Sequence, residues 1–325
     1  MSPPKIAIGA LGGTLSMQSR RPGEGITPSL GGQALLASVA ELADLAQIHV
    51  ETLSLVPSAS LTFDFLLDVL SWADSQIEKG ARGVVITQGT DTLEETATFF
   101  EYLWDHDEPM VLTGAMRSAG QVGADGPANL LDACKVALVE SSRKRGVMIV
   151  MNGEIHEALN VRKTNTMSLQ AFSSPIVGPT GMMIENNIRY LGPPAHRRIL
   201  PWPVRTTQKV ILLEATLGAD TLILERLLEL SYEGLVIAGF GAGHVSDAWA
   251  NALEPIAAKI PAILSTRAGA GTTACNTYGF AGSEMDMARK GLHLSGFLCP
   301  RKARILLWLL IGSGRQQDLP TYLSQ

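Results

Sequence analysis

Short runs that are apolar on both faces alternate with stretches of helical periodicity, and two of these runs end in glycine-threonine turns. Lys5–Leu11 leads into Gly12-Gly13-Thr14, and Gly83–Thr87 leads into Gly89-Thr90-Asp91-Thr92. A run with no polar face fits a strand covered on both sides, which means a parallel sheet with helices above and below. Phe63, Leu66, Leu67, Leu70, Ala73 and Ile77 recur at helical spacing, and Gly80 supplies a C-terminal stop. Leu93–Trp104 reads as a helix with Glu94 and Glu95 in its first turn, where carboxylates complement the dipole. Met110–Thr113 and Val147–Met151 read as strands, with a helix over Asn129–Val139 between them. The fold class is therefore α/β.

Around Leu191–Val204 the pattern breaks, with Pro193, Pro194, Pro201 and Pro203 set among His196, Arg197 and Arg198. So many prolines fit a linker. Beyond it the alternation resumes with strands at Val210–Leu213, Leu235–Ala238 and Ala262–Ser265. Helices are expected at Thr221–Leu230, Asp247–Lys259 and Lys302–Ile311. The expected organisation is a larger, mostly parallel, N-terminal catalytic α/β domain over 1–190, a linker over 191–208, and a smaller C-terminal α/β domain over 209–325. A chain of 325 residues is long enough for two cores.

Charge and cysteine usage exclude several classes. A formal charge of −5 offers no basic surface for a phosphate backbone, so no nucleic-acid partner is expected. Cys134, Cys275 and Cys299 are odd in number, far apart and form no CxxC pair, which argues against a disulfide framework or zinc site. The longest apolar stretch, Ile305–Ile311, is far short of a membrane span, so no membrane partner is expected. Met-Ser-Pro-Pro-Lys runs straight into the first strand without the basic and apolar regions of a signal peptide. A cytoplasmic location is the expectation.

The chemistry sits in three threonine motifs: Gly12-Gly13-Thr14, Gly89-Thr90-Asp91-Thr92, and Lys163-Thr164-Asn165-Thr166. Each has an ordinary structural explanation. Thr14 or Ser16 would cap a helix, Asp91 or Thr92 would cap the Leu93 helix, and Lys163 alone would be a solvated charge. Together they permit more. Open α/β sheets gather their ligands beyond the carboxyl ends of strands, where both hydroxyl turns fall. A threonine is a weak nucleophile until a base takes its proton, and a desolvated lysine can act as that base. The N–H groups of the second turn would serve a developing oxyanion. Residues Gln18 to Thr27 are nearly free of apolar side chains, as a mobile lid would be. Gly239-Phe-Gly241-Ala-Gly243 lacks the last glycine of GxGxxG, and no P-loop, GxSxG elbow or HExxH occurs. The six histidines have no metal-ligand spacing, and neither a metal nor a cofactor is expected.

In these motifs the chain resembles bacterial-type L-asparaginases of the asparaginase/glutaminase amidohydrolase family, over essentially its full length. Leu11-Gly-Gly-Thr14 stands for a TGGT-like strand end, Gly89-Thr-Asp-Thr-Leu-Glu-Glu-Thr96 for a GTDT-x-EET turn, and Lys163-Thr-Asn-Thr166 for a KTNT segment. Gly114-Ala-Met-Arg117, Ala124–Asn129 and Pro300–Arg304 are also similar to family segments. The resemblance implies that Thr14 attacks the side-chain amide and that water then hydrolyses the acyl-enzyme. Thr90, Lys163 and Asp91 would form a second triad that relays protons, with Asp91 also holding the substrate's α-amino group. Gly13, Ser58, Ala59 and Gly89 would line the substrate, with Ser58 on its α-carboxylate. Glu284 would reach the site from a neighbouring subunit of a homodimer or homotetramer.

Three positions depart from the family pattern. Ile26 stands where a lid tyrosine is usual, leaving Thr27 as the available hydroxyl. Ala59 replaces a glutamine, and Gly241-Ala242-Gly243 replaces a glycine-asparagine-glycine turn. A lost polar contact costs about 1–3 kcal/mol where its partner is buried in the complex. L-asparagine is the expected substrate. The alternatives are relaxed activity on L-glutamine, a non-catalytic amino-acid-binding protein on the same scaffold, and the amide-cleaving subunit of a tRNA-linked amidotransferase. The acidic charge and the lack of an added RNA-binding region weigh against the last.

Overall fold

The computed structural model describes residues 3–18, 25 and 27–323. The chain folds as two compact units, Met1–Ile199 and Leu200–Gln325.

The first unit is built on an eight-stranded sheet. Its spatial order is Asn187–Tyr190, Gly181–Ile184, Glu154–Glu157, Val147–Met151, Met110–Thr113, Val84–Thr87, Lys5–Ala10 and Gln47–Thr52. The last five in that order pair in parallel, and the first three join antiparallel. The mixed α/β class and the mostly parallel sheet are as expected from the apolar runs. Val84–Thr87, Met110–Thr113 and Val147–Met151 are buried at every position, the mark of strands covered on both faces.

Covering helices form where the sequence supplies both a stripe and punctuation. In Phe63–Glu78, Thr62 accepts a hydrogen bond from Phe65 N, and Leu66, Val69, Leu70 and Ala73 are buried. Gly80 closes that helix at φ 88°. Gly126–Leu138 opens with proline in its first turn and buries Leu130, Ala133 and Val136 against the sheet. Leu93–Glu101 is buried nearly throughout, with Phe99 stacked on Phe63 at 5.3 Å between ring centroids.

Four strands of this sheet escaped the sequence reading. Gln47–Thr52 is a half-exposed edge, so its apolar signal is diluted by His49, Glu51 and Thr52. Each of the three antiparallel strands also carries half-buried or exposed positions. The last two form a hairpin whose turn residues, Glu185 and Asn186, both take positive φ without the usual glycine.

The second unit carries a four-stranded parallel sheet ordered Val210–Glu214, Gly234–Gly239, Ala262–Thr266 and His293–Leu294. Helix Asp247–Ala257, capped by Ser246, buries Trp249, Ala250 and Leu253 in its core. Helix Pro300–Gly312 is buried over most of its length. No helix among the described residues is long and apolar enough to cross a membrane.

Residues 191–208 contain neither helix nor strand. Within the first unit Arg197 pairs with Glu101 at 2.8 Å. Within the second, Gln208 Nε2 donates to the Trp308 carbonyl at 3.0 Å.

Phe99→Ala should destabilise the first unit by about 3–5 kcal/mol, because it removes a fully buried, stacked ring. Denaturant unfolding followed by far-UV circular dichroism measures the loss.

Candidate active site

Both threonine turns follow directly from parallel strands. Lys5–Ala10 runs into Gly12 and Gly13, after which Thr14–Ser16 makes a single 3-10 turn. Val84–Thr87 runs into Gln88 and Gly89, after which Thr90–Thr92 makes another. These strands pair in register from Ala7↔Val84 to Ala10↔Thr87, so their ends emerge side by side. Gly13 takes φ 86°, and a Cβ there would overlap the backbone N and Cα of Gly89. A Cβ on Gly89 would stand 3.3 Å from Gly13 Cα and 2.8 Å from Ser58 Oγ. Only glycine permits this three-way approach.

Ser58 arrives from the loop after the edge strand and begins a 3-10 turn, Ser58–Ser60. Thr92 Oγ1 donates to the Ser58 carbonyl at 3.0 Å and accepts from Gln88 Nε2 at 3.1 Å. The hydroxyl expected to cap the Leu93 helix is thus spent on fixing the Ser58 loop, and no side-chain cap forms there. No side-chain cap forms at Thr14 either. Ser58 is 3% exposed, yet its Oγ makes no hydrogen bond among the described residues. A buried hydroxyl without a partner costs about 1–3 kcal/mol. Ala59 beside it is exposed.

Lys163 comes from a two-residue strand, Arg162–Lys163, paired antiparallel with Phe172–Ser173. Its Nζ donates to Thr90 Oγ1 at 2.9 Å and to Asp91 Oδ1 at 2.7 Å. The lysine side chain is 16% exposed and that of Asp91 71%, so the amine is sheltered while the carboxylate opens to solvent. Lys163 N donates to Glu94 Oε2 at 2.6 Å, a contact absent from the sequence reading. Glu94 was placed there only as a helix-dipole complement, and neither its spacing nor its motif showed the role.

Further polar contacts brace the second turn. A Cβ on Gly114 would lie 3.1 Å from Thr90 Cγ2. Asn129 Nδ2 donates to the Gly114 carbonyl at 3.0 Å, and Asp125 accepts from the N–H groups of Met116 and Arg117. The motifs at 114–117 and 124–129 thus form a backing for Thr90.

The lid region is described only at its base. Met17–Gln18 pairs antiparallel with Thr27–Pro28, which lies against the Thr14 turn. Ile26 and residues 19–24 lie outside the described residues.

Glu284 belongs to the second unit and is fully buried there. Its Oε1 accepts from Thr277 N at 2.8 Å and Tyr278 N at 2.7 Å, and its Oε2 lies 3.2 Å from His244 Nε2. Burial works against its charged form. The N–H groups of Tyr278, Thr277 and Glu284 itself, with His244, outweigh that and hold the carboxyl below its usual range. Among the described residues, no group of three or more His, Cys, Asp or Glu is arranged to hold a metal ion. The three cysteines are free.

Fold and site together define a class: an α/β protein that presents two threonine turns, a lysine and an aspartate beyond the carboxyl ends of a parallel sheet. The profile "Asparaginase, N-terminal" matches residues 5–196, and "Glutaminase/Asparaginase C-terminal domain" matches residues 209–319. A "Probable L-asparaginase periplasmic" of Haemophilus influenzae is 34% identical, covering 95% of this chain and 88% of that protein. A "Glutaminase-asparaginase" of Pseudomonas fluorescens biotype A is 31% identical, covering 93% and 84%. The crystal structure titled "Probable Cytoplasmic L-asparaginase from Campylobacter jejuni" superposes with a TM-score of 0.87 at 29% identity, covering 99% of each chain. The chain belongs to the asparaginase family, of the bacterial L-asparaginase type.

Gly13→Ala should abolish activity by forcing the two turns apart, with ammonia release from asparagine as the readout. Glu284 gives a pH signature. A carboxyl held below its usual value stabilises the fold above about pH 4.5, and that contribution disappears as pH falls through the folded value. The stability difference between wild type and Glu284→Gln, measured by denaturant unfolding, should therefore shrink as pH falls below about 4.5.

Proposed function

We propose that the chain hydrolyses L-asparagine to L-aspartate and ammonia, with Thr14 as the nucleophile and an acyl-enzyme as the intermediate. The observation that carries this reading is the hydrogen-bonded set Lys163–Thr90–Asp91, assembled beside the Thr14 turn from segments more than seventy residues apart. In the first step Thr14 Oγ1 bonds to the side-chain amide carbon, its proton passes to the amide nitrogen, and the C–N bond breaks to release ammonia. In the second step water bonds to the same carbon, aspartate leaves, and the proton returns to Thr14. Thr90 and Lys163 relay the proton, and Asp91 contributes to the relay while its exposed carboxylate receives the substrate's α-ammonium.

The unpartnered Ser58 hydroxyl meets the α-carboxylate in this reading, which repays the cost of burying it. Gly13 and Gly89 let the substrate approach the backbone, and the N–H groups of the second turn receive the developing oxyanion. Thr27, at the base of the lid, supplies the hydroxyl beside Thr14. The family resemblance assigns Glu284 to the site of a neighbouring copy in a homodimer or homotetramer; buried on Thr277, Tyr278 and His244 of its own unit, it would reach that site only by giving up those bonds. No cofactor takes part in the proposed steps, and three free cysteines suit the reducing cytoplasm.

Relaxed selectivity toward L-glutamine is the second reading, favoured by Ala59. That residue is exposed beside Ser58 and offers no polar group to measure substrate length. A binding protein without catalysis would have no use for a lysine bonded to a threonine hydroxyl.

Ammonia release from asparagine and glutamine by wild type, Thr14→Ala and Thr90→Ala tests the proposal. Wild type should prefer asparagine, and each variant should lose at least about a thousandfold in kcat. Full activity in Thr14→Ala would remove it as nucleophile, and calorimetric binding of asparagine without ammonia would favour the binding protein.

A further inference from the structure

We infer that Glu94 is a positioning residue that sets the reach of Lys163 to Thr90; this rests on the proposed role of Lys163 in proton relay. Glu94 is 2% exposed, and one carboxylate oxygen accepts from Lys163 N at 2.6 Å across 69 residues of chain. A carboxylate is costly to bury without donors, and the Lys163 N–H is one of its partners.

The direction of that N–H explains why a side chain is needed. The neighbouring Thr164 N bonds across the ribbon to the Ala171 carbonyl at 2.8 Å. Asn165 N also reaches the Ala171 carbonyl, at 3.3 Å, whereas the Lys163 N–H points to the other side, toward Glu94. Glu94 is the acceptor on that side.

The geometry closes a ring. Thr90 and Glu94 are four residues apart, on the turn and the first helical turn that follows it. Glu94 holds the lysine's main chain, and the lysine's Nζ returns to Thr90 Oγ1 at 2.9 Å. Hydroxyl and amine are therefore gauged from the same short rigid segment rather than through the sheet. A two-residue ribbon is a weak anchor by itself, and the flanking residues Thr164 to Ser168 are exposed. Glu95, one position on, is only half-buried.

Steady-state kinetics on asparagine with Glu94→Gln, Glu94→Asp, Glu94→Ala, Lys163→Met and Glu94→Ala/Lys163→Met test the inference. Glutamine keeps the acceptor oxygen and should stay within about threefold of wild type. Aspartate withdraws the oxygen by one methylene while keeping the charge. Both Asp and Ala should lower kcat about a hundredfold, the cost of misplacing a reacting group by about 1 Å, with KM little changed. In the Lys163→Met background Glu94→Ala should add no further loss, because both changes remove one function. Wild-type kcat in Glu94→Asp or Glu94→Ala alongside an inactive Lys163→Met would overturn the inference and leave the catalytic reading standing. So would losses that multiply in the double variant. Full activity in Lys163→Met would overturn the catalytic reading itself.

Discussion

The contact between the Gly13 and Gly89 backbones is the constraint on which the site depends. Two parallel strands in register deliver their carboxyl ends side by side, but side chains would ordinarily hold the following turns apart. With no Cβ on either glycine the turns touch, and Ser58 closes in from the third side. Thr14 and Thr90 each sit one residue beyond this contact. The two turns are thus set side by side by backbone geometry, before any side-chain interaction is counted. A sheet buried on both faces gives that geometry the rigidity that preorganised catalysis requires.

Around this contact the polar groups divide into those already paired and those left open. Thr92 is committed to the Ser58 carbonyl, Asp125 to two backbone N–H groups, and Lys163 to Thr90, Asp91 and Glu94. The Ser58 hydroxyl, by contrast, is buried and unpaired, and the Asp91 carboxylate is turned largely to solvent. In the proposed reading the paired groups hold the chemistry in place, and the open ones receive a zwitterionic amino acid. Where family relatives carry further polar groups, this chain has Ile26, Ala59 and Ala242. In the proposed reading the catalytic set is whole while the recognition set is reduced, so these three positions bear on the choice between asparagine and glutamine.

Much of this was legible in the sequence because burial on both faces leaves an unmistakable apolar run. Met110–Thr113 and Val147–Met151 have the bounds read from the residues. The helix Phe63–Glu78 ends where Gly80 said it should. The exposed edge strand Gln47–Thr52 and the antiparallel hairpin at 181–190 were hidden, because a half-solvated strand shares its polar residues with loops. At the candidate site, motif identity singled out Thr14, Thr90, Asp91 and Lys163 as candidates, but not the hydrogen bonds that join the last three. Thr92 and Glu94 looked like helix-terminus chemistry, and a carboxylate in a first turn is adequately explained by the dipole. Their true partners lie 34 and 69 residues away, a relation that local pattern does not encode.

The central claim is a covalent ester on Thr14, and rapid-quench mass spectrometry of the wild-type chain during turnover of asparagine tests it most directly. A β-aspartyl adduct should appear within the first turnover on the peptide that contains Thr14, and it should decay as substrate is exhausted. An adduct on the peptide containing Thr90, or a stoichiometric burst of ammonia while the Thr14 peptide stays unmodified, would contradict the account.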